Sequence, residues 1–305
     1  MNSASVNDLV ALSVGKKPGA VTHPGYQRAG SYDRLEMKAP EGLGLFVLRH
    51  ITRHYAPSLA AQRPPRFAVI QGPPGEGKTE SVRVTCSRHG VDLIIVAASE
   101  LAGETENAGP AALARLGEAV HAITAREKRP ILVLLDDFDL SIAARLDSTE
   151  YTVDSQLLTG ALQHLADTGT LRTVQGYAVP IVMTGNNFSP MRSSLLRPGR
   201  AVFFEHALGF DEKCEIVGKI LGTTDIKAVR GLVSAYRKEP IAFFVELRSH
   251  ALDEDLDLLI TQHGLSIGAI ESQLNGLRGT VDVVRLQRLA ATASTGRPKN
   301  YLGRR

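Results

Sequence analysis

Tryptophan is absent, and aromatic residues make up only 5% of the 305-residue chain, so aliphatic side chains must build the core. Cysteine is scarce too. Cys86 and Cys214 lack the C-x-x-C spacing of a metal or redox pair, which leaves two reduced core thiols as the expectation. No apolar run approaches the ~20 residues that cross a bilayer, and the first residues lack the apolar stretch of a signal peptide. A soluble, cytoplasmic protein with no membrane partner is therefore expected. Charge of one sign is also in short supply. The formal net charge is only +3, too little to argue for nucleic acid as a partner. What is present, 43% hydrophobic and 22% charged residues, suits a globular chain of one large domain or two smaller ones.

The rest of the chain is organised around Gly72-Pro73-Pro74-Gly75-Glu76-Gly77-Lys78-Thr79. This stretch satisfies every fixed position of the P-loop pattern G-x-x-x-x-G-K-[ST]. Its flanks agree with it. The apolar run Phe67 to Ile70 reads as a buried strand, and Thr79 to Arg88 is free of Gly and Pro and can start a helix. In such a strand–loop–helix unit the glycines let backbone N–H groups turn towards phosphates, and the helix N-terminus adds partial positive charge. Lys78 is then expected at the β- and γ-phosphates of ATP, and the Thr79 hydroxyl on Mg²⁺.

The order of elements along the chain is regular. Residues 1–40 read as an irregular arm, followed by a helix from Glu41 to Tyr55. On that helix His50 and His54 stand four apart, which permits a metal pair. No third ligand is evident, so they are read as surface or nucleotide-facing residues. Leu93 to Val96 is a second strand, and Leu113, Leu116, Val120 and Ile123 mark the buried face of a helix that Pro130 ends. Ile131 to Leu135 is an all-apolar strand that runs straight into Asp136-Asp137-Phe138-Asp139. A buried strand ending in acids is the Walker B arrangement, in which the first acid supports Mg²⁺ and the second can polarise the attacking water. A helix at 156–166 precedes the strand Pro180 to Thr184, which ends in Gly185-Asn186-Asn187. Then come Leu195-Leu196-Arg197-Pro198-Gly199-Arg200 and a short strand from Ala201 to Phe204. Beyond Phe210 only helical patterns remain, at about 211–221, 225–236, 241–262, 266–277 and 280–293, before a basic tail at 294–305 expected to be flexible. The reading is an α/β nucleotide-binding domain over 41–209, with five parallel strands, and a small all-α lid over 210–293.

An Asn closing the strand after Walker B, followed by L-R-P-G-R, resembles the AAA+ ATPases. The resemblance implies that Asn186 is the sensor that orients the lytic water. It also implies that Arg197 and Arg200 are arginine fingers, reaching the γ-phosphate bound by a neighbouring subunit. That role implies identical subunits arranged head-to-tail, and the family's usual number makes a homo-oligomeric, hexameric ring the expectation. An arginine supplied in trans suits phosphoryl transfer, whose transition state spreads negative charge over its oxygens.

A narrower resemblance, over roughly Gly42 to Ala290, is to Rubisco activase. It rests on Ser99-Glu100-Leu101 with Asn107-Ala108-Gly109, Leu135-Asp136-Asp137-Phe138-Asp139, Tyr151-Thr152-Val153 with Gln156, and Val182 to Ser189. Ile241-Ala242-Phe243-Phe244-Val245-Glu246-Leu247-Arg248 is similar to the lid segment with that family's sensor 2 arginine, so Arg248 is expected at the nucleotide. Asp137, where most AAA+ proteins have Glu, matches the family as the water-polarising base. The chain departs from plant-type activases in several places. They carry an N-terminal domain where about 40 residues stand here. The tail is short and lacks the cysteine pair of redox-regulated forms, and no small-subunit-like extension follows the lid. His250 stands at the second lid arginine.

Leu101-Ala102-Gly103 occupies the place of the aromatic-hydrophobic-Gly pore triplet of AAA+ unfoldases, without the aromatic. Two readings stay open. Glu100, Glu104 and Glu106 surround a solvated loop that caps the next helix, or the loop grips a client weakly and tugs a segment. Arg145 and Tyr151 could line a second pore ring or lie on the surface. The function implied is an ATP-driven remodelling of a protein client, with Rubisco a candidate. The alternatives are a nucleic-acid motor or loader, which DNA-stimulated turnover would reveal, and an ATP-gated scaffold without useful turnover.

Overall fold

The computed structural model describes residues 22–32, 38–101, 108–139, 153–191, 195–264, 267–268, 270–271 and 283–296. Five strands run parallel: β2 (Phe67–Gln71), β3 (Asp92–Ala97), β4 (Ile131–Asp136), β5 (Ile181–Gly185) and β6 (Ala201–Glu205). The two-residue β1 (Tyr26–Gln27) joins the edge antiparallel to β3, giving the order β1-β3-β4-β5-β2-β6. This sixth strand lies in the arm whose sequence reads mostly as irregular. It is held by Asp92, fully buried, which accepts from the Tyr26 hydroxyl at 3.2 Å and the Ala29 N–H at 2.8 Å and pairs with Arg129.

The central strands are apolar throughout because helices cover both faces of the sheet, as parallel connections require. Alternation sorts their side chains. Phe67, Val69, Ile131, Val133, Leu135, Ile181 and Met183 face one core with Leu116, Val120 and Ile123 of α5 (Ala108–Glu127) and Leu158, Leu162 and Leu165 of α6 (Val153–Thr168). Ala68, Ile70, Leu132, Leu134 and Val182 face the other. There they meet Leu43, Val47 and Ile51 of α1 (Glu41–Tyr55) and Val82 and Cys86 of α3 (Lys78–Arg88). Two short helices, α2 (Pro57–Ala60) and α4 (Ala98–Leu101), follow α1 and β3 in the chain. A fully buried aliphatic or Phe side chain contributes about 1.5–3 kcal/mol, so these aliphatic faces suffice without tryptophan. Both cysteines are free and buried, as expected.

A second core belongs to the C-terminal helices α7 (Phe210–Leu221), α8 (Ile226–Ala235), α9 (Ile241–His263) and α10 (Val283–Gly296). It gathers Val217, Ile220, Leu232, Val233, Phe243, Phe244, Leu247 and Leu286. Gly209 caps the start of α7, with the Glu212 side chain accepting from its N–H, and Gly222 ends that helix in the left-handed region at φ 66°. These are the helix start and stop signals that glycine favours. The loop at 102–107, Arg145, Tyr151 and the end of the tail lie outside the described residues.

Candidate active site at the P-loop

Strand β2 delivers the P-loop to the C-terminal edge of the sheet, between β5 and β6. Two glycines there cannot be replaced. A Cβ on Gly72 would fall 2.2 Å from the His206 carbonyl oxygen, and Gly75, at φ 73°, lies under Pro240 and Ala242. Gly77 is the left-handed residue from which α3 starts. Lys78 is buried. Its Nζ donates to the carbonyls of Gly72 and Pro73 at 2.8 Å each and to Asn186 Oδ1 at 3.1 Å. Burial lowers the Lys78 pKa, and the carboxylates of Asp137, Asp139, Glu76 and Asp136 oppose the shift.

Adjacent β4 and β5 supply the acids and the sensor. Asp136 Oδ1 accepts from Thr79 Oγ1 at 2.5 Å and from Thr184 Oγ1 at 2.6 Å. Thr79 and Asp136 therefore present neighbouring hard oxygens of the kind Mg²⁺ takes while keeping waters and phosphate oxygens as its other ligands. The residues present fit that ion. Asp137 follows in the left-handed region at φ 47°, and this turn leaves its side chain exposed. Lost hydration, then the charges of Asp136 and Asp139, raise the Asp137 pKa above the usual aspartate value, with Lys78 opposing. The site thus gathers Lys78, Thr79, Asp136, Asp137 and Asn186 at one strand edge.

Sequence reasoning missed the part played by Asp139. Its Oδ2 accepts from the Asn186 N–H at 2.7 Å and the Asn187 N–H at 3.0 Å, which pins the sensor loop to the Walker B segment. Gly185 makes room for this, since a Cβ there would lie 2.5 Å from Asp139 Oδ1. An acid two residues past the Walker B pair was visible in the sequence, but its target was not.

His206, just past β6, and two residues of the lid hold the P-loop. His206 Nε2 donates to the Glu76 carbonyl at 2.9 Å, and burial keeps the imidazole pKa low, in its neutral form. The Ala242 N–H at the start of α9 donates to the Gly75 carbonyl at 3.0 Å. Lys213 of α7, buried, reaches Glu76 Oε1 at 3.5 Å and the Glu239 carbonyl at 2.5 Å. Arg248, expected at the nucleotide, donates to the Ile220 carbonyl at 2.5 Å. In this structure its guanidinium caps the end of α7, and the lid cation at the P-loop is Lys213.

The two expected fingers differ. Arg200 is bound by Asp167 of its own chain, Nε and Nη2 donating at 2.7 and 2.5 Å. Arg197 is exposed, and among the described residues its side chain makes no hydrogen bond or ion pair. His50 and His54, read as surface or nucleotide-facing, are instead buried, at 4% and 2% exposure. They stack edge to face, 4.6 Å between ring centres, on α1. Among the described residues no cluster of three His, Cys, Asp or Glu could hold a metal ion.

This strand order and site have the architecture of a P-loop AAA+ core, and residues 68–207 match the family model described as ATPase family associated with various cellular activities (AAA). Within that class the chain resembles Rubisco activases. It is 34% identical over 227 residues to ribulose bisphosphate carboxylase/oxygenase activase from Anabaena, covering 70% of this chain and 54% of that protein. The namesake from Nostoc is 32% identical over 216 residues, covering 67% and 51%, and the chloroplastic activase of Solanum pennellii is 27% identical over 228 residues, covering 72% and 49%. The chain spans about half the length of these curated relatives. Among the described residues no helix is long and apolar enough to cross a membrane.

Proposed function

We propose that the chain hydrolyses ATP and couples hydrolysis, in a hexameric ring of identical subunits, to the remodelling of a protein client, with Rubisco the first candidate. The observation that carries this reading is the convergence of Lys78, Thr79, Asp136, Asp137 and Asn186 at the strand edge beneath a lid bonded to the P-loop. Each residue has a task. Lys78 exchanges the carbonyls of Gly72 and Pro73 for phosphate oxygens, which offer it charge as well as acceptors. Thr79 and Asp136 hold Mg²⁺, which when bound neutralises charge on the phosphates. Asp137, exposed at its turn, accepts a hydrogen bond from the attacking water and polarises it. The Asn186 side chain, beside Lys78, orients the same water.

Arg197, exposed and without a side-chain hydrogen bond or ion pair among the described residues, is the finger offered to a neighbour's γ-phosphate. Arg200, clamped by Asp167, holds the loop that presents it. Arg248 acts within the lid, and Lys213 carries nucleotide state from Glu76 to the lid helices. The curated relatives' name makes Rubisco the first client to test.

The test is a trap. Asp137→Asn keeps shape but polarises water poorly, so this variant should bind ATP, assemble, and retain its client without turnover. Purified Rubisco and a total extract are each passed over it with ATP and with ADP. ATP-dependent retention of Rubisco is the expected result. Undiminished phosphate release by Asp137→Asn would overturn the assignment of the base, and retention of another protein in place of Rubisco would overturn the client.

A further inference from the structure

At the opposite end of the strands from the P-loop, an open cleft of about 610 Å³ is lined by His54, Arg63, Arg66, Asp167, Arg172 and Arg200, among others. Arg66 directly precedes β2 and Gly72 directly follows it. A five-residue strand separates the two sites by roughly 17 Å. Four guanidiniums share this cleft with one carboxylate, and Arg200 already engages that carboxylate.

Arg66 is the unusual member. It is 5% exposed, yet among the described residues its guanidinium makes only long hydrogen bonds, 3.3 Å to the Val179 carbonyl and 3.5 Å to the Leu171 carbonyl. Buried arginines are ordinarily matched by an acid, because an uncompensated charge out of water is costly. Here the nearest charge has the same sign. The Arg66 and Arg172 guanidiniums converge over Gly169, where a Cβ would lie 2.9 and 3.5 Å from their Nη2 atoms. Burial and Arg172 together pull the Arg66 pKa down to about 10. Arg172 is anchored through Nη1 to the Gly176 carbonyl at 2.7 Å, and no described acid pairs with it or with Arg63.

His54 adds a second unmet group. Its Nδ1 donates to the His50 carbonyl at 2.9 Å, so Nε2 carries a lone pair. That nitrogen is buried and has no partner among the described residues. A cleft with surplus arginines and a waiting acceptor suits a ligand with several anionic oxygens and a hydroxyl. Fork-shaped guanidiniums match phosphate oxygens in particular.

We propose that this arginine cleft binds a small phosphate-bearing anion, at a site separate from the P-loop. Arg66 and Arg172 supply the paired donors, and a ligand O–H or P–OH donates to His54 Nε2. The P-loop also takes phosphates, so the measurement is made on the full-length Lys78→Ala protein, titrated with pyrophosphate in a calorimeter. Saturable binding is expected, weakened about tenfold or more by adding Arg66→Met or Arg172→Gln, each removing charge-assisted bonds. Arg172 is exposed, so its variant tests the proposal even if Arg66→Met fails to fold. Absence of binding in Lys78→Ala, or binding that Arg172→Gln leaves unchanged, would overturn it. So would binding that weakens as protein concentration rises into the range of assembly, which would assign the cleft to an acidic side chain of a neighbouring copy.

Discussion

Replacing Asp139 separates a carboxylate that positions from one that reacts. Both of its hydrogen bonds, from the N–H groups of Asn186 and Asn187, enter through the same oxygen, Oδ2, at 2.7 and 3.0 Å. Asp139→Asn can keep an oxygen there and put its amide nitrogen where Oδ1 stood. The bonds survive without their charge, at roughly half strength, a loss on the order of 1 kcal/mol and about tenfold in kcat at most. Asp139→Ala removes the acceptor and strands two backbone donors. Asn186 is then free to drift, and a 1 Å displacement of a positioning group costs about 10²-fold in rate. Phosphate release measures kcat, and a fluorescent nucleotide measures affinity, which should hold in both variants. The pH profile adds a sign. Asp139 is one of the charges that raise the Asp137 pKa, so removing its charge should lower that pKa. The acid limb of kcat, which falls as Asp137 takes up its proton, should move to lower pH in Asp139→Asn. Should Asp139→Asn be as dead as Asp137→Asn, Asp139 would be the base and the positioning argument would fail. Full activity in Asp139→Ala would refute it equally.

Lys78→Ala should abolish nucleotide binding in an equilibrium titration, since the loop loses its phosphate charge; affinity close to the parent's would remove the P-loop assignment. Arg197→Ala should bind ATP and hydrolyse it poorly, the loss falling on kcat. Mixed with Lys78→Ala subunits, whose fingers are intact, it should regain part of its turnover; if mixing restores nothing, the shared site is wrong. Lys213→Met leaves the half-buried Glu76 carboxylate without its cation, for about 1–3 kcal/mol of stability in urea unfolding. It should also speed ADP release by loosening the lid, and unchanged release would deny Lys213 that role.

The parts of this fold that were legible in the sequence are those that local pattern dictates. Gly72 to Thr79 could be read because each glycine answers a backbone requirement within the same eight residues. The strands Ile131 to Leu135 and Phe67 to Ile70 could be read because burial on both faces leaves no polar position. What escaped depends on partners far away in the chain. Tyr26 and Gln27 are a strand only because β3 presents a free edge and Asp92 an acceptor. No periodicity can show in two residues. His50 and His54 looked solvent-facing because histidine is polar, yet α1 turns them inward beside Arg66. Lys213 could not be told from any surface lysine until α7 was laid against Glu76. Asp167 was an ordinary helix-end acid until the fold brought Arg200 to it from 33 residues away.

Strand β6 runs from the arginine loop to the lid's root. Arg200 precedes its first residue and His206 follows its last. Both ends are stitched to β2: the Arg200 carbonyl accepts from the Phe67 N–H at 3.0 Å, and the His206 N–H donates to the Gln71 carbonyl at 2.7 Å. An extended chain has no length to give. A shift of one residue would turn Val202 and Phe204 away from the helix-covered face they pack against. The strand is therefore a connecting rod of fixed length. In the proposed ring, a pull on the arginine loop from a neighbour's phosphate would have nowhere to dissipate before it reached the hinge of the subunit's own lid.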